Sequence, residues 1–202
     1  MISLDIENSL RSEGYNIICG VDEAGRGPLA GPVFAAAVIL PEDCPDIGIN
    51  DSKKLTEKKR ELLFDKITEI ALDYSIAIVS EKEIDEINIL NAAMLAMRKA
   101  VAGLKIKPDF VLIDGNRLPE TGYPERYIVK GDSLSMSIAA ASILAKVSRD
   151  RYMLSLDEQY PEYCFNKHKG YGTALHYQML EKYGISPVHR RSFLKNLAKH
   201  NG

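Results

Sequence analysis

Four acidic residues follow apolar, strand-like runs of the chain. Asp22 and Glu23 come after IICGV, Asp114 comes after FVLI, and Asp132 comes after YIVKG. In an α/β sheet, functional sites form beyond the ends of strands, because the loops converge there. Carboxylates gathered at one point repel one another unless a cation lies between them, and hard divalent ions such as Mg²⁺ prefer oxygen ligands. The placement therefore predicts a two-metal centre for phosphoryl chemistry.

Simpler explanations exist for two of these acids. Asp114 and Gly115 form a common turn dipeptide, and Asp132 can cap the helix that is predicted to follow it. On placement alone, the metal centre and these local roles both stay open.

A glycine-rich loop, GRGPLAGP at 25–32, comes directly after the first two acids. It fits the dinucleotide fingerprint G-x-G-x-x-A, but its prolines lead into another strand, whereas the fingerprint requires a helix. We therefore predict a backbone platform in which Gly25 and Gly27 let amide groups approach a ligand closely. Arg26 would contact a phosphate or a sugar. The alternative is a strained hairpin loop with Arg26 paired to one of the preceding acids.

The elements that must position these residues follow from hydrophobic periodicity. Strands are predicted at 17–22, 33–40, 74–79, 110–114 and 127–130. Helices are predicted at 57–72 with Thr56 as N-cap, at 91–104 with Asn91 as N-cap, after Asp132, and at about 173–183 and 190–199. Early strands mixed with helices, followed by a helical end, predict an α/β fold with a mixed sheet.

The composition is that of an ordinary globular protein, with 46% hydrophobic and 27% charged residues. We expect one domain over 1–202, with a core at about 17–160 and a basic helical segment at about 163–202. Residues 1–162 carry 19 basic and 27 acidic side chains, whereas residues 163–202 carry seven basic and one acidic. This segment is either a phosphate-binding surface or a solvated basic face.

Other features of the sequence indicate the cellular compartment. The three cysteines lie far apart, without disulfide or zinc spacing, and the chain shows no signal peptide and no membrane span. We therefore expect a cytoplasmic protein with reduced thiols. The four histidines share no metal spacing, and His168 is expected to be a surface contact.

Six separated blocks of the sequence together resemble one known family, ribonuclease HII. They occur in the family's order and span about residues 17–195. The blocks are DEAGRGPLAGPV at 22–33, DSKKLT at 51–56, LIDGN at 112–116, KGDSLSMSIAAASILAKVSRDR at 130–151, HKGYGT at 168–173 and GISPVHRRSF at 184–193.

This resemblance implies a ribonuclease H-like fold and an Mg²⁺- or Mn²⁺-dependent endonuclease. Such enzymes cut the RNA strand of RNA–DNA hybrids and incise duplex DNA 5′ of a single embedded ribonucleotide, leaving 3′-hydroxyl and 5′-phosphate ends. By motif match the metal ligands would be Asp22, Glu23, Asp114 and Asp132.

The same resemblance implies the substrate contacts. Residues 25–27 would read the ribose 2′-hydroxyl, the group that distinguishes RNA from DNA. Tyr171 would stack on the deoxyribose that follows, and Lys53 would lie near the scissile strand. Without the resemblance, Tyr171 reads as a packed loop anchor and Lys53 as part of a solvated lysine pair.

The expected partners are RNA–DNA hybrids and ribonucleotide-containing duplex DNA. No sliding-clamp motif is seen near the C-terminus, and a monomer is expected. Two rival functions remain: a catalytically silent nucleic-acid-binding module of the same fold, and another two-metal enzyme such as a small-molecule phosphatase or a DNA nuclease.

Overall fold

A computed structural model describes residues 2–49 and 55–195. Within them a five-stranded mixed sheet has the order β3-β2-β1-β4-β5. The strands are β1 (Ile18–Ala24), β2 (Val33–Ile39), β3 (Asp73–Val79), β4 (Phe110–Asp114) and β5 (Glu125–Ile128). β1 pairs with β2 and β2 with β3 antiparallel, whereas β4 runs parallel to both β1 and β5. The predicted mixed α/β fold is confirmed.

Six α-helices accompany the sheet in the described part of the chain. They are α1 (Asp5–Ser12), α2 (Glu57–Ile70), α3 (Glu81–Ala102), α4 (Met136–Gln159), α5 (Phe165–His168) and α6 (Ala174–Tyr183). Short 3₁₀ turns cover Gly131–Ser133, Pro161–Tyr163 and Arg191–Phe193. The sequence prediction missed α1 altogether.

The sheet lies between two helical layers, because successive side chains of a strand point to opposite faces. On β2 the odd-numbered residues 33–39 join a core with α3, while Ala36 and Val38 join a second core with α2 and α4. Gly20 of β1 faces α4, and a Cβ there would lie 2.2 Å from the backbone of Ser137. The absent side chain lets the helix pack directly on the strand.

The start of α3 differs from the prediction. Ser80 and Glu83 form a reciprocal capping box, so the helix begins at Glu81. Asn88 then interrupts it with a φ of 67°, and its side chain accepts hydrogen bonds from the N–H groups of Leu90 and Asn91. The prediction that Asn91 caps the helix is therefore wrong, because Asn88 caps the second half. Thr56 caps α2 as predicted.

The C-terminal segment packs on the far end of α4 and on the glycine loop. Phe165, Leu180 and Leu194 form a third core with Leu29 and Met153. Its described part contains α5 and α6, but the helix predicted at 190–199 begins as a 3₁₀ turn over Arg191–Phe193, and its last four residues lie outside the described ones.

Candidate active site

The register of the sheet brings Asp22 and Asp114 side by side. Val21 of β1 pairs with Ile113 of the parallel β4, so the next residue on each strand is the acid. By strand alternation both acids point to the α4 side of the sheet. Asp22 was predicted at the end of its strand. It lies instead within β1, opposite Ala36 of β2, because pairing with β2 continues to Ala24.

The other two acids approach from different directions. Glu23 follows Asp22 on β1, and its N–H donates to the Asp22 carboxylate at 2.7 Å. Asp132 lies in the 3₁₀ turn after β5, and its N–H donates to the Asp114 carboxylate at 3.2 Å. The Asp132 side chain is buried but does not line the cavity described next. The four predicted acids therefore lie close together, and Asp132 contacts Asp114 without lining the cavity.

A cavity of about 420 Å³ opens at this edge of the sheet. It is lined by acids, by the start of the glycine loop, by basic side chains and by one aromatic ring. These residues are Asp22, Glu23, Ala24, Gly25, Arg26, Arg60, Asp114, Ser142, Lys146 and Tyr171. Carboxylates, basic side chains and an aromatic ring therefore share one cavity.

The electrostatics of the acids reflect burial and mutual repulsion. Burial raises the pKa of Asp22 well above its usual value, and the charges of Glu23 and Asp114 raise it further, against a lowering hydrogen bond from Ser142. Burial also raises the pKa of Glu23, while the Arg26 guanidinium, 3.2 Å away, lowers it. Negative charge is therefore costly here, and a bound cation would offset that cost.

The donor set fits hard divalent cations, because all its ligating groups are carboxylate oxygens. Over residues 2–49 and 55–195, no three acidic, histidine or cysteine side chains are already gathered into a chelating group.

The glycine loop and Tyr171 meet at the mouth of the cavity. A Cβ on Gly27 would lie 3.7 Å from the Tyr171 ring, which is 42% exposed. Arg26 forms the ion pair with Glu23 that the hairpin interpretation anticipated. Its side chain is half exposed, so this pair leaves it accessible from solvent. Lys53 lies outside the described residues.

Three polar residues that line the cavity were missed by sequence reasoning. Ser142 and Lys146 lie one turn apart on α4, and Arg60 comes from α2. The spacing of the first two, four residues apart on the helix after Asp132, was a usable signal, because such residues share a helix face. Arg60 carried no comparable signal.

The expectation that His168 is a surface contact is wrong. His168, His176 and His189 are all buried, packed on Phe165 and on one another. Burial lowers the pKa of all three. They form part of the core that supports the turn carrying Tyr171.

Comparison with known proteins agrees with this arrangement. The family model described as Ribonuclease HII matches residues 19–196. The chain belongs to the ribonuclease HII family. It is 58% identical over 193 residues to the ribonuclease HII of Caldicellulosiruptor bescii, covering 96% of this chain and 94% of the relative. As a member of the ribonuclease HII family, the chain is a nuclease of the ribonuclease H type that acts on RNA–DNA hybrids, and divalent-metal dependence is typical of the family.

Solved ribonuclease HII structures share the fold. The ribonuclease H2 of Pyrococcus horikoshii matches with a TM-score of 0.74 and 32% identity, over 87% of this chain and 92% of that one. An Archaeoglobus fulgidus ribonuclease HII, solved in complex with PCNA, matches with a TM-score of 0.74 and 27% identity, over 86% and 93%. Among the described residues, no helix has the length and apolar character needed to cross a membrane.

Proposed function

We propose that this ribonuclease HII family member incises duplex DNA on the 5′ side of a single embedded ribonucleotide, as well as cutting the RNA strand of hybrids. The observation that carries the proposal is the shared cavity, which is lined by acids, by the start of the glycine loop and by an aromatic ring: Asp22, Glu23, Asp114, Gly25, Arg26 and Tyr171. A site that must select one ribose within DNA needs its catalytic acids close to the groups that recognise the sugar.

The acids Asp22, Glu23, Asp114 and Asp132 are proposed as the ligands of Mg²⁺ or Mn²⁺. When bound, two such ions activate the attacking water and neutralise charge on the leaving 3′-oxygen. The chain's own part is to hold the carboxylates in place. Asp22 is oriented by the hydrogen bond with Ser142, and Asp114 by the N–H of Asp132.

Substrate recognition is proposed for the other side of the cavity. The backbone of Gly25, Arg26 and Gly27 would approach the 2′-hydroxyl, the one group that marks a ribose. The exposed Tyr171 ring would stack on the deoxyribose that follows, where no 2′-hydroxyl keeps it away. Lys53 is retained as a contact to the scissile strand on the strength of its motif alone.

Lys146, which lines the same cavity, is a further candidate for a substrate contact. Its Nζ lies 5.9 Å from the centre of the Tyr171 ring and 2.7 Å from the Asp150 carboxylate. A cation held by Tyr171 and Asp150, in the same cavity as the proposed metal ligands, suits a contact to the phosphate of the strand being cut.

A labelled duplex tests the proposal. A DNA duplex with one ribonucleotide, end-labelled on that strand, is incubated with Mg²⁺, Mn²⁺ or chelator, beside an all-DNA duplex and a continuous RNA–DNA hybrid. A single metal-dependent cut 5′ of the ribonucleotide, with the all-DNA duplex intact, is expected. Cleavage of the continuous hybrid alone would reject single-ribonucleotide incision, and cleavage of all-DNA duplex would favour a general DNA nuclease.

Three wider expectations rest on the sequence and stay predictions. They are a cytoplasmic location with the free cysteines Cys19, Cys44 and Cys164, a monomeric state, and a C-terminal region in which no sliding-clamp motif is seen. The clamp complex of the Archaeoglobus fulgidus protein makes the last of these worth a direct binding assay with this chain.

A further inference from the structure

Two arginines are buried directly behind the glycine loop. Arg190, from the segment after α6, is fully buried and donates three hydrogen bonds to loop carbonyls. Its Nη2 donates to Gly25 O at 2.6 Å, its Nη1 to Arg26 O at 3.0 Å and its Nε to Gly31 O at 2.8 Å. One rigid guanidinium therefore holds both ends of the loop.

Arg149 of α4 supports the loop from a second side. It donates to Pro32 O at 3.2 Å and Ala30 O at 3.1 Å, and also to Lys169 O at 3.0 Å, two residues before Tyr171. The glycine loop and the turn that carries Tyr171 thus share one donor.

Stability alone is a poor reason for this arrangement. Burial lowers the pKa of both arginines, whereas the negative charge of Glu81 raises it. One carboxylate oxygen of Glu81 is buried and has no hydrogen-bond partner in the described structure. Buried charged groups are often replaced by apolar residues without loss of stability, so such a cluster is better explained by what it positions.

The geometry of the peptide bond shows what is positioned. In a trans peptide the carbonyl of one residue and the N–H of the next point in opposite directions. The described chain contains no cis peptide bond. Because Arg190 binds the carbonyls of Gly25 and Arg26, the N–H groups of Arg26 and Gly27 point away from its guanidinium. Gly25 and Arg26 themselves line the cavity that holds the acids.

We propose that Arg190 is a positioning residue for ribose recognition, which presents the N–H groups of Arg26 and Gly27 to the 2′-hydroxyl by holding the two preceding carbonyls. The inference rests on the proposed function, because it assigns a cause to the sugar selectivity of that site. It places the control of selectivity in a residue that contacts no substrate.

Arg190→Lys tests the inference, because lysine keeps the charge but loses the planar fork of donors. The backbone contacts at this position, Arg190 N–H to Leu29 O at 2.8 Å and Gly31 N–H to Val188 O at 2.9 Å, do not depend on the side chain. Arg151→Lys is the matched control, since Arg151 lies on α4 with its side chain exposed and paired to Glu61.

Binding is measured in chelator, where no cutting occurs, by fluorescence anisotropy with a single-ribonucleotide duplex and with an all-DNA duplex of the same sequence. We expect Arg190→Lys to lower the ratio of the two affinities at least fivefold, with all-DNA affinity unchanged, while Arg151→Lys keeps the wild-type ratio. If Arg190 had only a structural role, the substitution would weaken the binding of both duplexes to the same extent. A wild-type ratio in folded Arg190→Lys overturns the inference.

A measurement on the wild-type chain covers the case in which the variant does not fold. Amide resonances of Arg26 and Gly27 should shift on addition of the single-ribonucleotide duplex and not on addition of the all-DNA duplex. If they respond equally to both, the inference fails. A wild-type chain that incises at single ribonucleotides but fails this test rejects the inference alone, whereas absence of that incision rejects the proposed function.

Discussion

The Nε2 atoms of His176 and His189 lie 3.0 Å apart in the core beneath Tyr171. His189 Nδ1 accepts from the N–H of Ser186, so its proton is on Nε2 and is donated to His176. His176 then keeps its own proton on Nδ1, which donates to the carbonyl of Tyr171 at 3.0 Å. This chain of bonds requires both rings to be neutral, because a protonated ring has no acceptor.

Acid should therefore destabilise the protein through this pair. Burial lowers the pKa of His176 to about 4 and, with the neighbouring His176, that of His189 to about 3. Unfolded histidine takes up its proton near pH 6.5 whereas the folded pair does not, so the free energy of unfolding should fall as pH drops from about 6.5 to about 4. Each unit of pKa difference is worth about 1.4 kcal/mol.

Urea unfolding at a series of pH values measures this slope. His189→Gln is the informative variant, because its amide can accept from Ser186 and donate to His176 without titrating. Its unfolding free energy should depend less on pH over this window. The raised pKa values of Asp22 and Glu23 change the unfolding free energy with pH in the opposite direction, but equally in both proteins, so their effect cancels from the comparison. The same pH dependence in wild type and His189→Gln would contradict the prediction.

Asp22→Asn should separate stability from activity. The raised pKa of Asp22 means that its charge is unfavourable in the folded, metal-free protein, so a neutral isostere should raise the melting temperature in chelator. Loss of a proposed metal ligand should lower cleavage by roughly 10³-fold, equivalent to several kcal/mol of lost transition-state stabilisation.

The measurements are thermal unfolding in chelator and initial cleavage rates in Mg²⁺, together with hybrid binding, which should survive. Asp43→Asn, a change to an exposed acid outside the cavity, is the control and should alter neither quantity. Full cleavage by Asp22→Asn would remove this residue from the proposed metal centre.

Gly25→Ala should be damaging for two independent reasons. Gly25 has a φ of 100°, and a Cβ there would lie 2.2 Å from Nε of Arg149. We expect the variant to lose about 1–3 kcal/mol of unfolding free energy from backbone strain, and more from displacement of the guanidinium. Gly122→Ala separates the two effects, because Gly122 has a φ of 86° with open space around it. Equal losses in urea unfolding would show that contact with Arg149 adds nothing.

Tyr171 should act through its ring. Stacking of an aromatic side chain on a base is worth about 1–3 kcal/mol. A deoxyribose has no π-face, so we expect the lower end of this range, and Tyr171→Ala should raise the KM for a single-ribonucleotide duplex roughly fivefold. Tyr171→Phe keeps the ring and should stay close to wild type. Tyr74→Ala, an equally exposed tyrosine on the edge strand β3, should have no effect. If both substitutions at 171 raise KM alike, the hydroxyl rather than the ring carries the role.

Much of the fold and of the candidate site was predictable from local pattern. Apolar runs located the strands, Thr56 marked the start of α2, and motif matches named six of the ten residues that line the cavity. The length of β1 was not predictable, because its last residues are held in the sheet only by pairing with β2. Helix α3 was misread because it begins at the Ser80 cap, and Asn88, which caps its second half, interrupts the helix rather than preceding it.

The roles of buried charged residues were the hardest to predict. Arg149 reads as one of several charges within a long helix, yet it lies on the buried stripe that continues through Met153 and Leu156. Two of its three partners are backbone carbonyls more than a hundred residues earlier in the chain, and backbone acceptors leave no trace in a sequence. The spacing of Arg149 from Met153 and Leu156 was the only sequence signal that this side chain is buried.

The span between Gly25 and Arg190 also has a consequence for synthesis of the protein. The two are joined by a hydrogen bond across 165 positions of the chain. A ribosome therefore completes β1, β4 and the four acids long before it adds the residue that orders the glycine loop. During that interval the nascent chain carries its proposed metal ligands without the Arg190 hydrogen bond to the glycine loop. On the proposed role of Arg190, selectivity for ribose would be completed only after this residue has been added.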